Sequence, residues 1–356
     1  MICKLADICY YVKGKIDVGA LDENTYISTE NMLPNKEGVT TAASLPPTEQ
    51  TQAFSTNDIL VSNIRPYFKK LWQAEYDGGC SNDVLVLRAS ENCDSTYLYY
   101  VLANDAFFDY AMATSKGTKM PRGDKRAIME YAVPMIDIRS QQKIGKILRC
   151  IDKKIVVNKK INDNLQQQAQ AIYTSMFITN ADPAWTQGHL SDLITVKYGK
   201  DHKKLADGVY PVFGSGGIMR YVERPLYTGE SVLIPRKGTL NNVMYVNEPF
   251  WSVDTMFFTE MKIPNVAKFV FHFVKAKDLA SMNAGSAVPS MTTDILNAME
   301  LAIPSTERLA EFESVVAPMY QAMQANNCES AKLADLRDAL LPKLMSGEVD
   351  VSSIQI

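Results

Sequence analysis

The positions Ile144, Leu148, Ile151, Ile155, Asn158, Asn162, Leu165, Ala169, Ile172 and Met176 fall alternately four and three apart, which is the spacing of a helix that lays one seam against another helix. Adding 168 to each number gives Phe312, Val316, Met319, Met323, Asn326, Ser330, Leu333, Arg337, Leu340 and Leu344, a second seam with no gap. An ungapped duplication of this length restricts the chain to architectures in which one unit, globular part plus long helix, is used twice.

Each seam is interrupted by polar residues at the same place, Asn158 and Asn162 in the first and Asn326 and Ser330 in the second. Polar seam residues can fix the register of two long helices, or can rotate into solvent as a straight helix drifts from a strict heptad. A helix of about 40 residues extends roughly 60 Å, so it serves as a spacer as well as a clamp. Pro318 falls inside the second seam and is expected to kink that helix or break it early.

The parts outside the seams repeat more loosely. Leu5-Ala-Asp-Ile-Cys-Tyr-Tyr-Val-Lys-Gly14-Lys15 matches Leu190-Ser-Asp-Leu-Ile-Thr-Val-Lys-Tyr-Gly199-Lys200. Asn57-Asp-Ile-Leu-Val-Ser matches Gly229-Glu-Ser-Val-Leu-Ile, and Ser81-Asn-Asp83-Val-Leu-Val matches Ser252-Val-Asp254-Thr-Met-Phe; these short apolar runs between turn residues read as strands. Gly117-Thr-Lys-Met-Pro121 parallels Gly285-Ser-Ala-Val-Pro289, while Pro134 and Pro304 mark the hand-over to each helix.

A chain of 356 residues accommodates two domains with their own cores. The expected division is a globular domain at 1–137, a helix at 138–180, a second globular domain at 181–303, a second helix at 304–349 and a tail at 350–356. No run approaches the length and apolarity of a membrane span and the N-terminus lacks a signal-peptide pattern, so a cytoplasmic location is expected. Cys3, Cys9, Cys80, Cys93, Cys150 and Cys328 form no CxxC pair, and His189, His202 and His272 lack ligand spacing, so no metal site is expected. The net charge of −3 conceals a strong asymmetry: −5 over 1–137, +6 over 138–180, 0 over 181–303 and −4 over 304–356. Oppositely charged helices favour pairing with each other over self-pairing.

Catalytic signatures are missing. Gly214-Ser-Gly216-Gly217 lacks the lysine of a phosphate loop and reads as a tight turn; no nucleophile elbow, HExxH, amino-methyltransferase tetrapeptide or dinucleotide fingerprint occurs. What the globular parts do carry is basic clusters on glycine-containing loops. Lys116, Lys119, Arg122, Lys125 and Arg126 form one, and Arg65, Tyr67, Lys69 and Lys70 another. The second domain has Lys197, Lys200, His202, Lys203 and Lys204, and then Arg236 and Lys237 ahead of Gly238 and Thr239. Such clusters suit phosphate contact and base reading, and equally suit a solvated surface.

Three stretches carry a family resemblance. Val133-Pro-Met-Ile-Asp-Ile-Arg-Ser-Gln-Gln-Lys-Ile-Gly-Lys-Ile-Leu148, with its continuation to Asn162, resembles the central helix of type I restriction-modification specificity subunits. Leu336-Arg-Asp-Ala-Leu-Leu-Pro-Lys-Leu-Met-Ser-Gly-Glu348 is similar to their C-terminal helix. Tyr210-Pro-Val-Phe-Gly-Ser-Gly-Gly-Ile, Leu233-Ile-Pro-Arg-Lys-Gly238 and Phe250-Trp-Ser-Val-Asp254 are similar to one class of their target-recognition domains. The resemblance implies an α/β (α+β) protein with two target-recognition domains in tandem, joined by two long helices in an antiparallel coiled coil, with an internal pseudo-two-fold repeat. It also implies a non-catalytic subunit that reads double-stranded DNA with a bipartite site and docks two modification (methyltransferase) subunits and, for cleavage, restriction subunits. S-adenosylmethionine, ATP and Mg2+ would then belong to those partners.

Within that frame the expected DNA contacts are Lys15, Arg65, Tyr67, Lys69, Lys116, Lys119, Arg122, Lys125, Lys200, His202, Lys203, Arg236, Lys237 and Thr239. Lys15 and Lys200 recur in both units and fit phosphate contact. Gly14 with Gly199, Asp83 with Asp254, Gly117 with Gly285 and Pro121 with Pro289 are read as serving the common fold. The basic run at 116–126, set against uncharged Ala284-Gly-Ser-Ala-Val-Pro-Ser290, fits the reading of different half-sites. Two other readings stay open from the residues alone: a coiled-coil adaptor that ignores DNA, and a diverged methyltransferase or nuclease.

Overall fold

The computed structural model describes residues 2–282 and 290–352. Gly285, Pro289 and the rest of the stretch compared with 116–126, apart from Ser290, lie outside the described residues. The chain divides into two compact units, one made of residues 1–158 and 327–356 and the other of residues 159–326. Each therefore owns part of both long helices, the central one at Ile138–Thr174 and the C-terminal one at Thr306–Ser346.

The first unit is built on a four-stranded antiparallel sheet ordered Cys9–Tyr11, Val84–Ala89, Ile59–Ser62, Leu71–Gln73. All four residues of Ile59–Ser62 are buried, as an apolar run flanked on both sides of the sheet must be. A second sheet is ordered Lys15–Asp17, Gln50–Phe54, Gly78–Cys80, Tyr26–Ile27. The core runs from Leu5, Leu85 and Leu87 through Tyr97, Tyr100 and Phe108 to Ile144 and Leu148 of the central helix and Leu341 and Leu344 of the C-terminal one.

The second unit repeats the first sheet in the same order, Ile194–Tyr198, Met256–Met261, Ser231–Pro235, Met244–Val246, again antiparallel throughout. Its other sheet differs. Gly217–Val222 and Asp207–Gly214 form a hairpin whose tight turn is Ser215–Gly216, as expected, and Asp207–Gly214 also runs parallel to Trp251–Ser252. The common remainder is the parallel pair, Tyr26–Ile27 with Gly78–Cys80 in the first unit. Its core carries Phe257, Phe269 and Val270 onto Ala169, Tyr173 and Phe177 of the central helix and Phe312, Val316 and Tyr320 of the C-terminal helix.

The lead-in elements fold alike because their sequences match. Lys4 N donates to the Asp7 carboxylate at 2.8 Å and Leu5 N to Tyr131 O at 2.8 Å; His189 N donates to the Asp192 carboxylate at 2.7 Å and Leu190 N to Met299 O at 2.8 Å. Both units close with a two-stranded antiparallel pair, Ile2–Lys4 with Ala132–Pro134 and Thr186–His189 with Glu300–Ile303, just before a long helix begins.

All twenty seam positions are buried or half-buried. The polar ones bond across the pair: in the first unit Asn158 donates to Ser330 Oγ at 3.2 Å and to Glu329 at 2.8 Å. In the second, Asn326 donates to Asn162 at 2.8 Å, and Asn162 to Met323 O at 3.3 Å. These contacts make the helices antiparallel within each unit and settle the seam asparagines as register contacts rather than solvated positions. The break expected at Pro318 does not occur, since the C-terminal helix runs through it. Pro318 is exposed, while Val316 and Tyr320 beside it are buried in the core, and that packing offsets the roughly 3 kcal/mol an interior proline costs. Among the described residues no helix is long and apolar enough to cross a membrane.

Candidate nucleic-acid interface

In the first unit the expected contact residues gather on two loops that are stitched together. The loop after Ile59–Ser62 enters a three-residue turn, Pro66–Phe68, bracketed by Arg65 and Lys69, both with left-handed backbones at φ 50° and 51°. Such conformations are costly for non-glycine residues and persist where surrounding contacts impose them. Those contacts are Arg65 N to Pro121 O at 2.8 Å, Lys36 N to Lys69 O at 2.9 Å and the Lys69 ammonium to Asp105 at 2.8 Å. The turn presents Tyr67 and Phe68, 47% and 39% exposed, with ring centroids 4.7 Å apart. Lys70 is drawn back to Thr29 O at 2.6 Å.

The second loop is a small finger. Lys116 and Arg122 exchange both backbone hydrogen bonds at 2.9 Å, closing residues 117–121 with Lys119 and Met120 at the exposed end. Gly117 takes φ 90° there, which requires glycine. Arg122 also forms a bridge to Ile64, and Gly123 N bonds Asn63 O at 3.1 Å. Asp124 caps the short helix Lys125–Met129 and is held down at about 2, first by the Lys116 ammonium at 2.5 Å and then by the amides of Arg126 and Ala127. Lys125 is exposed on that helix, its carbonyl accepting from Tyr11 at 3.0 Å. Arg65, Tyr67, Lys69, Lys116, Lys119, Arg122 and Lys125 thus belong to one framework. Lys15 is exposed on the other sheet, opposite Gln52.

The second unit assembles its own set. Arg236 N and Lys237 N both bond Thr255 O, at 2.9 and 3.2 Å, Met291 N bonds Arg236 O at 2.9 Å, and Lys237 bridges Ser290. The Arg236 guanidinium lies 5.4 Å from the Tyr198 ring centroid and donates to Asp254 O at 3.4 Å. Gly238, at φ 84°, packs so closely that a Cβ there would lie 2.6 Å from Ser215 Oγ of the hairpin turn. Asn242 ties the two together, its side chain donating to Ser215 O at 2.8 Å and its amide to Thr239 O at 3.1 Å. Lys200 is exposed, with its amide on Ser252 O at 2.8 Å and its carbonyl under the Trp251 indole at 2.9 Å; half-buried His202 and exposed Lys203 follow.

The ladders correct the sequence alignment of the units by one residue. Ser62 pairs Val84 as Pro235 pairs Met256, and Gly123 N bonds Asn63 O as Met291 N bonds Arg236 O. Asn63 is therefore the counterpart of Arg236, and the Ile64·Arg122 bridge the counterpart of Lys237·Ser290. The cation stands on opposite members of the same bridge. Asp83 and Asp254 are not equivalent carboxylates: the Asp83 side chain pairs with Arg122, whereas Asp254 offers its carbonyl to Arg236. Asp83, Tyr198, Ser215 and Asn242 were not among the expected contact residues; the position of Tyr198 next to Gly199 is the one local signal.

Among the described residues no group of three or more His, Cys, Asp or Glu could hold a metal ion.

Two globular parts of one plan stand in tandem, each sharing its core with both long helices and each carrying basic side chains on pinned loops. Residues 1–167 and 184–311 match the family described as Type I restriction modification DNA specificity domain, and the chain belongs to that family. It is 22% identical over 303 residues to the type I restriction enzyme MjaIX specificity subunit of Methanocaldococcus jannaschii, covering 73% of this chain and 70% of that one. It is 20% identical to the type I restriction enzyme HindI specificity subunit of Haemophilus influenzae, covering 97% and 98%. The fold matches a type I restriction-modification system S subunit from M. genitalium with a TM-score of 0.61, at 17% identity, over 99% of this chain and 96% of that one.

Proposed function

We propose that this chain is the DNA-reading subunit of a type I restriction-modification complex. Each recognition domain reads one half of a bipartite site in double-stranded DNA, and the helices set the spacing between halves and dock two modification subunits. Restriction subunits join for cleavage. S-adenosylmethionine, ATP and Mg2+ are bound by those partners, and this chain contributes recognition without catalysis.

The observation that carries the reading is the shared bridge with its cation displaced, Arg122 opposite Ile64 in one unit and Lys237 opposite Ser290 in the other. Two copies that keep a framework and exchange the charged side chains on it are suited to reading two different sequences. Family membership and the specificity-subunit relatives support the DNA-reading role.

The test is co-expression with methyltransferase subunits followed by mapping of methylated positions in the host genome. A split motif is expected, and replacement of residues 1–137 by those of another family member should change one half only. Methylation at no defined sequence would overturn the reading. Arg65, Arg122, Arg236 and Lys237 changed together to alanine should weaken DNA binding and flatten its salt dependence; an unchanged complex would favour the adaptor reading.

A further inference from the structure

Arg122 and Asp83 form a pair that the general description of a basic DNA-facing loop does not account for. The Arg122 Nη2 lies 3.1 Å from Asp83 Oδ1 and 3.4 Å from Oδ2, with the two side chains 57% and 35% exposed. An exposed ion pair contributes little stability. Its placement is unusual, however, because both backbones are pinned. Arg122 is hydrogen-bonded to Lys116 on one side and bridged to Ile64 on the other, while Asp83 O accepts from Asn63 N at 2.8 Å, the residue next to Ile64.

The carboxylate decides between two roles for this arginine. A guanidinium meant for a phosphate gains nothing from a neighbouring carboxylate, which repels the phosphate and cancels the charge that releases counterions. Base reading depends instead on the direction of the N–H fork. Asp83 engages Nη2 alone, which restrains the direction of the guanidinium and leaves its other donors to meet two acceptors side by side, as on the O6/N7 edge of guanine. The neighbouring lysines have different arrangements: Lys69 is on Asp105 and Lys116 on Asp124, point charges without a fork.

Resting on the reading of the chain as a DNA-specificity subunit, we propose that Arg122 reads a guanine in the half-site of the first domain and that Asp83 is the positioning residue that aims it. The second domain has Ser290 at the bridge position of Arg122 and uses a different device, Arg236 against Tyr198 and the Asp254 carbonyl. Its half-site is therefore read independently of this pair.

The experiment compares wild type, Arg122→Lys, Asp83→Asn and Arg122→Ala in the complex with methyltransferase subunits. It measures binding to duplexes carrying each base at every half-site position, over a range of salt, together with methylation mapping. Arg122→Lys keeps the charge and loses the fork, so discrimination at one guanine of the first half-site should fall by roughly 10- to 100-fold with the salt slope unchanged. Asp83→Asn should lower discrimination at that same base pair, with no loss of affinity for non-specific DNA. In every variant the second half-site should be read normally, which shows that the complex has assembled. A uniform loss of affinity in Arg122→Ala, with a salt slope lower by about 1 and an intact motif, would make Arg122 a phosphate contact and overturn the proposal. So would a first half-site without guanine on either strand, or an Asp83→Asn complex that discriminates as wild type does. If wild type methylates no split motif, the failure lies with the underlying reading and not with this pair.

Discussion

In each unit one short helix of the globular part packs on the helix pair, and the two rests share one pair of positions with different chemistry. In the first unit Tyr100, on helix Ser95–Ala103, donates to Asp152 at 2.5 Å, and Asp152 pairs with Arg337 at 2.8 Å. In the second, His272 on helix Ala267–Lys275 meets Tyr320 Oη at 2.9 Å and Gln170 Oε1 at 2.8 Å. Asp152 and Tyr320 are 168 residues apart, the offset of the seams, so one contact has been conserved in place and rewritten in kind. The first rest is charged and partly accessible. The second is buried, with His272 at 0% and Lys268 at 3% exposure.

Burial makes the second rest the harder one to break. The Lys268 ammonium lies 2.7 Å from Glu230 and 2.6 Å from Glu313, between the rings of Tyr245 and Tyr320. Lys268→Ala would leave two carboxylates in a site without their cation, and we expect the second unit to lose about 3–5 kcal/mol. Urea unfolding followed by hydrogen exchange of helix Ala267–Lys275 measures it. Adding Glu230→Gln and Glu313→Gln to Lys268→Met should restore much of the loss. A loss as large in the first unit would mean that the two rests are not independent.

The histidine makes the second rest sensitive to acid. Burial, with a smaller contribution from Lys275, lowers His272 from 6.5 to about 4, and the neutral ring with its proton on Nδ1 satisfies both Gln170 and Tyr320. Between those values the unfolded chain binds a proton that the folded chain does not. The stabilisation is therefore complete above pH 6.5 and is lost as the pH falls towards 4, on the order of 3 kcal/mol in all. Comparison of wild type with His272→Gln isolates this effect, and the variant should have the shallower dependence across that window. An identical slope would assign the acid sensitivity elsewhere.

The first rest should respond more mildly. Tyr100→Phe removes a hydrogen bond to a carboxylate that keeps Arg337, and should cost about 2 kcal/mol, measured by thermal unfolding. A cost matching that of Lys268→Ala would erase the distinction between the rests.

How much of this could be read beforehand depends on how far apart the partners lie in sequence. The seams were legible because helical spacing is local, and so were the strands at Ile59–Ser62 and Ser231–Pro235, apolar runs between turn residues. The rests were not, because Lys268 and Glu313 are 45 residues apart and Tyr100 and Arg337 meet through Asp152. His272 carried no ligand spacing and is instead a satisfied core histidine. The basic loops stand out by composition, but matching by residue type sets the strands that carry them one residue out of step. Only the ladder shows that Asn63 and Arg236 correspond, since matching by residue type aligned Asp83 with Asp254.

The seam itself tests the comparison most finely, with the smallest effect. Under the 168-residue offset Asn158 with Ser330 becomes Asn326 with Asn162, so the polar contact in each unit is the same contact seen from the opposite helix. Double-mutant cycles with leucine at both positions of each pair should give couplings of the same sign and about 0.5–1 kcal/mol in the two units. Each single change strands a polar partner at the seam, while the double change replaces the pair by apolar packing and should recover stability. The rests differ because each faces its own recognition domain, and these helix contacts face only each other. Couplings of opposite sign would show that the repeat has been rewritten in the seam as well, and would remove the physical basis for a fixed register beneath two divergent domains.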